Sequence, residues 1–120
     1  MGFFARKSEA AVRAARVVPL RIAPVEVQVM GRDSLDVLLA RNVSATGLGV
    51  YVPHGFEGFD LAAEVELVVT LPRQTPFLAR GIIKHVTDQQ GEARHFGLHF
   101  TQIKKLHRKA IEDYVRSRLD

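Results

Sequence analysis

The chain has 120 residues, no cysteine, a net charge of +4 and a mean hydropathy close to zero. A single domain of this length buries about two thirds of its unfolded surface, so no disulfide or metal is needed to hold its core, and the absence of thiols excludes cysteine redox chemistry and thiolate metal sites. No run approaches the roughly 18 apolar residues of a membrane span, and the N-terminal stretch lacks the continuous apolar run of a signal peptide, so the expected location is the cytoplasm.

Residues 1–23 carry five Lys/Arg against one acid. The first twelve, "MGFFARKSEAAV", are expected to form a short helix or a basic N-terminal arm, with Phe3 and Phe4 hinting that something covers them. A single domain, 13–120, follows. Its apolar residues recur with a period of two, the sign of half-buried antiparallel strands. Val25, Val27 and Val29 share one face, then Leu35, Val37 and Leu39, then Leu48, Val50 and Val52, then Val65, Leu67, Val69 and Leu71. Residues 77–87 form a fifth strand; Phe96, Leu98 and Phe100 alternate with His95, Gly97 and His99 in a sixth. Turn residues separate the strands at "GRDS" (31–34), "PHGFEG" (53–58), "PRQTP" (72–76) and "DQQG" (88–91). From Gln102 the period changes: Leu106, Ala110, Ile111, Tyr114 and Val115 form an amphipathic stripe opposite Lys105, Arg108, Lys109, Glu112 and Arg116. The fold class is therefore all-β: six short antiparallel strands with no intervening helical pattern form a small barrel or sandwich, followed by a C-terminal amphipathic helix.

Charge is segregated along this plan. Residues 24–101 hold six Lys/Arg and nine acids, whereas residues 102–120 hold six and three. Basic ends favour an anionic partner or form solvated faces.

No catalytic set emerges, and no metal site. Carboxylates are scattered singly. His95 and His99 are four apart, but on a strand that spacing separates their Cα atoms by about 13 Å, too far for one ion without ligands from elsewhere. "GLG" at 47–49 leads into a strand and lacks the Gly-Lys-Ser/Thr of a phosphate loop. The chain reads as a binding protein rather than an enzyme, with no cofactor implied.

Two elements remain. "RAARVVPLR" supplies Arg13, Arg16 and Arg21, and "NVSATGLGV" supplies Asn42, Ser44 and Gly47. Arginine can hold a phosphate bidentately, donate to guanine O6 and N7, or stack on a base. Asn and Ser can meet the polar edge of that base, and glycine lets the backbone come close. The same residues also suit an Asx-type turn with a glycine bulge. A nucleic-acid polymer is a poorer fit, because only Tyr51 and a few phenylalanines offer stacking surfaces, and Phe96 and Phe100 read as core.

An arginine segment before the first strand, followed by N-x-S-x-x-G at Asn42 to Gly47, resembles the PilZ domain pattern R-x-x-x-R then D/N-x-S-x-x-G. "LVVTLP", "ARGIIKHV", "HFGLHF" and the closing helix fall in that family's order. The resemblance implies a six-stranded barrel with a C-terminal helix and a ligand, cyclic di-GMP, a bacterial second messenger, with a downstream protein partner. It implies that Asn42, Ser44 and Gly47 hold a guanine edge and that Arg16 is the second arginine, on phosphate or guanine. The first would stand at position 12, which is Val12, so the motif is degenerate and Arg13 or the upstream arm would have to compensate. A degenerate domain that binds a protein and not the dinucleotide is the alternative.

Overall fold

The computed structural model describes residues 9–30, 35–52, 64–87 and 94–119. Phe3, Phe4 and the predicted turns at 31–34, 53–58 and 88–91 lie outside them. The elements, in chain order, are α1 (Glu9–Ala14), β1 (Arg16–Val17), β2 (Glu26–Met30), β3 (Leu35–Ser44), β4 (Gly47–Val52), β5 (Glu64–Thr70), β6 (Phe77–Thr87), β7 (Arg94–Gln102) and α2 (Lys105–Leu119). All six predicted strands are present. They pair antiparallel in the order β3-β2-β5-β6-β7-β4, and β4 returns to β3 to close the barrel. The seventh strand, β1, is a two-residue addition that pairs with the far end of β3, Arg16 opposite Ser44 and Val17 opposite Val43.

Closure leaves the barrel no free edge along β2 to β7, and its interior fills with alternate side chains. Val25, Val27, Val29, Leu48, Val50, Val65, Leu67, Val69, Leu71, Leu98 and Phe100 are buried, as their spacing predicts. One strand departs from the prediction. Val37 and Leu39 are exposed, and Leu38 and Ala40 are the buried residues of that stretch. The register explains it, since Leu38 stands opposite Val27, and directly paired residues share a face. The run "LDVLLA" has apolar residues at both parities, so periodicity alone could not choose.

The closing helix keeps its predicted stripe except at the first residue. Ile111, Tyr114 and Val115 are buried and Ala110 packs against the core, but Leu106 is 73% exposed. His107 takes the place expected for Leu106, stacking on Phe77 with ring centroids 4.6 Å apart, and four-residue steps from His107 lead to Ile111 and Val115. The helix packs on β3, β1 and α1. Arg118 fixes its last turn, donating from Nε and Nη2 to the carbonyl of Val18 at 3.2 and 2.8 Å. Val12, in α1, is fully buried in the same core cluster. Among the described residues, no helix is long and apolar enough to cross a membrane.

The predicted turn at "PRQTP" is present, closed by the Gln74 N–H on the Leu71 carbonyl, and Arg73 sits at a φ of 61°. A non-glycine residue in that left-handed region costs roughly 1–2 kcal/mol.

Tyr114 makes the seating of α2 measurable. Its hydroxyl is buried beside the Arg118 guanidinium, and burial pushes the phenol above its usual 10.0, with Arg118 opposing the shift. The neutral phenol is therefore favoured in the folded chain, so this stability is intact below pH 10 and is lost as pH rises through the raised value. Chemical unfolding of Tyr114→Phe should show a shallower decline above pH 10 than the parent chain. Identical declines would mean that α2 is not seated on the core through this side chain.

Candidate functional site

The site begins with a slip in strand pairing. Along β3, Leu38 and Ala40 face the core, and strict alternation would send Asn42 there too. Between Ala40 and Asn42 the register against β4 shifts, from Ala40 opposite Val50 to Asn42 opposite Gly49. That bulge at Arg41 inserts one residue and reverses the parity. Val43 now enters the core, and Asn42 and Ser44 leave the barrel interior, Asn42 half-buried and Ser44 still buried within the hairpin turn.

At the hairpin beyond, Ser44 and Gly47 pair directly and Ala45 and Thr46 form the loop. The Ser44 hydroxyl accepts from the Gly47 N–H at 3.2 Å and the Thr46 N–H at 3.4 Å, within reach of the Gly47 carbonyl and the Thr46 hydroxyl. Ser44 is only 3% exposed. It acts here as the tie of the turn. Gly47 is required by barrel closure, because a Cβ there would overlap the Leu98 carbonyl on β7. The turn-with-glycine reading of this stretch is thus realised, whatever else the residues do.

Asn42 joins the two halves of the motif. Its Oδ1 accepts the Gly49 N–H at 3.0 Å and an Arg16 Nη1–H at 2.6 Å. The second bond is charge-assisted and the stronger of the two in kind. A Cβ at Gly49 would lie 2.8 Å from Asn42 Oδ1, so a side chain there would displace the Asn42 amide from its place. Arg16 reaches Asn42 because β1 holds it opposite Ser44 on the neighbouring strand. The structure thus brings Arg16, Asn42, Ser44 and Gly47 together. Arg13 is exposed in the last turn of α1 and makes no polar contact with them among the described residues. Val12, at the position of the expected first arginine, points into the core.

The arrangement is rich in donors. Arg16 uses one of its five N–H groups on Asn42, and the Asn42 Nδ2 has no partner among the described residues. Such a surface suits acceptors and negative charge. Two grooves lie elsewhere, one of about 590 Å³ along Leu78, Arg80, Thr101 and Arg108 and one of about 430 Å³ along Leu20, Ile22, Tyr114 and Arg118. Neither is lined by a motif residue. His99, exposed on β7 opposite Gly47, belongs to no cluster of three metal-ligating side chains among the described residues.

Comparison with known proteins places this geometry. The model of the PilZ domain family matches residues 10–117. The chain belongs to the PilZ domain family. Among solved structures, the PilZ domain of Escherichia coli YcgR with c-di-GMP superposes with a TM-score of 0.71 at 12% identity, covering 88% of each chain. The Bacillus subtilis inhibitor of motility, MotI/DgrA, gives 0.70 at 20% identity over 85% of this chain and 52% of its own. The K. pneumonia MrkH–c-di-GMP complex gives 0.73 at 12% over 87% of this chain and 49% of its own. This PilZ chain therefore spans about half the length of MotI and of MrkH, and the likeness at these identities is one of fold. No curated protein sequence matches it.

Sequence reasoning missed two participants. Gly49 is marked only by its place in "GLG", and the buried role of Val12 is hidden because an apolar residue in a basic segment looks like a lost arginine. These placements make a mutational contrast. Val12→Arg, which formally restores R-x-x-x-R, buries an unpaired charge and should lower stability to urea by about 3–5 kcal/mol. Ser44→Ala leaves turn N–H groups without their acceptor and should cost about 1–3 kcal/mol. Arg16→Ala, removing an exposed bond, should cost less than about 1 kcal/mol. A stable Val12→Arg chain would contradict the burial of that position.

Proposed function

We propose that this PilZ domain is a cytoplasmic receptor for cyclic di-GMP that works as an adaptor toward a protein partner. The observation that carries the reading is the meeting of Arg16 with Asn42, above the Ser44–Gly47 turn, on the outer face of the barrel. The c-di-GMP held by the PilZ domain of YcgR and by MrkH supports it. On binding, the Arg16 guanidinium exchanges Asn42 for a ligand phosphate or for guanine O6 and N7, contacts of the same charge-assisted kind. Asn42 keeps its Oδ1 on the Gly49 N–H and offers its Nδ2 to the guanine edge. Ser44 and Gly47 keep the backbone beneath tight and flat. Arg13, exposed three residues upstream, supplies the second cation.

A change at Arg16 has a short route outward. Two residues on, the Val18 carbonyl is held by Arg118 of α2, so a displaced β1 is felt at the closing helix. The second reading is favoured by Val12. With the first arginine position given over to the core, this is a degenerate PilZ domain that binds a protein without the dinucleotide. Losing one charge-assisted contact costs about 1.5–3 kcal/mol, or one to two decades of affinity.

Calorimetric titration of the whole chain with cyclic di-GMP separates the readings. The receptor reading expects saturable heat and a raised melting temperature, since a micromolar ligand at roughly 100 μM stabilises by about 2.7 kcal/mol. It also expects Arg16→Ala to weaken binding by about tenfold or more. No heat and no thermal shift at that concentration would leave the protein-binding adaptor standing.

A further inference from the structure

The outer face of β4 continues past the motif. Two residues beyond Gly49 stands Tyr51, about 7 Å further along and on the same side of the strand. The chain has two tyrosines and no tryptophan. Tyr114 belongs to the core beneath α2, whereas Tyr51 is 44% exposed and contributes nothing to the barrel interior. Its partner across the sheet is His95 of β7, with ring centroids 5.3 Å apart and the planes tilted by 57°. The contact props the tyrosine ring from one side.

Two glycines and the motif amide lie beside it. Asn42 stands opposite Gly49, with its amide lying over that glycine, and Gly49 stands opposite Gly97, so no side chain rises between Asn42 and the Tyr51–His95 pair from these two positions. A planar group can set its face against the exposed side of the Tyr51 ring with its edge toward Asn42. No other arrangement of surface aromatic, glycine pair and motif amide occurs among the described residues.

We infer that Tyr51, steadied by His95, is a base-stacking surface for the purine of the bound nucleotide, which sets its face on the tyrosine ring and its polar edge at Asn42. The inference rests on the nucleotide reading of the site. It adds a subsite outside the two motif segments, and it explains an exposed aromatic that packing does not require. Stacking does not distinguish one purine from another, so Tyr51 supplies affinity and orientation while Asn42 and Arg16 supply recognition of the edge.

The test uses the whole chain and cyclic di-GMP. Tyr51→Ala should weaken binding by roughly tenfold or more, and Tyr51→Phe, which keeps the ring, should bind within about twofold of the parent. Both variants should melt at the parent's temperature, because the side chain is exposed. In Tyr114→Phe, where Tyr51 is the sole tyrosine emitter, saturating ligand should quench the fluorescence. Parent and Tyr51→Ala chains that bind equally well, or Tyr51 emission unchanged at saturation, would overturn the subsite and leave the receptor reading intact. A parent chain that shows no binding heat overturns both.

Discussion

At Arg41 the pairing of β3 with β4 slips by one residue, and the two faces of the strand exchange roles. Before the slip, even-numbered residues fill the barrel; after it, Val43 does, and Asn42 and Ser44 leave the barrel interior. Without that extra residue, an amide would be buried among Leu38 and Ala40, where an unsatisfied polar group costs on the order of 1–3 kcal/mol. The bulge therefore serves the core and the site together. Barrel closure, the hairpin tie at Ser44 and the reach of Arg16 to Asn42 all follow from the register it sets.

The site that results has a fixed half and an exchangeable half. Ser44, Gly47 and Gly49 are held by the barrel's own demands: turn N–H groups on a hydroxyl, a strand carbonyl against Gly47, an amide oxygen over Gly49. Their geometry is built by the barrel itself, and a site ordered by the fold carries a lower ordering cost for any ligand. Arg16 is different, being exposed and tied by one bond from a short added strand. An arginine parked on a neutral amide is easily drawn to a phosphate, because the new partner carries charge.

Much of this was legible in the chain, and the rest was hidden for specific reasons. The alternation of valines and leucines located every strand of the barrel, and N-x-S-x-x-G marked the hairpin. The facing of β3 was not legible, because "LDVLLARN" offers apolar residues at both parities and no glycine or proline flags a bulge within it. Leu106 matched the helical period yet lies one residue off the stripe that His107 begins. Val12 could be read only as a missing arginine until α1 placed it in the core. Burial at these three places is a property of the assembled elements, which the local pattern there does not report.

The division into fixed and exchangeable halves is tested most directly by nitrogen-15 NMR of the whole chain, with and without cyclic di-GMP, following hydrogen exchange at Gly47 and Gly49 and the Arg16 Nε resonance. Slow exchange at both glycine amides in the free and bound chain, with a ligand-dependent shift at Arg16, is the result expected. Fast exchange at Gly47 and Gly49 in the free chain, or an Arg16 signal that stays put while ligand saturates, would contradict it.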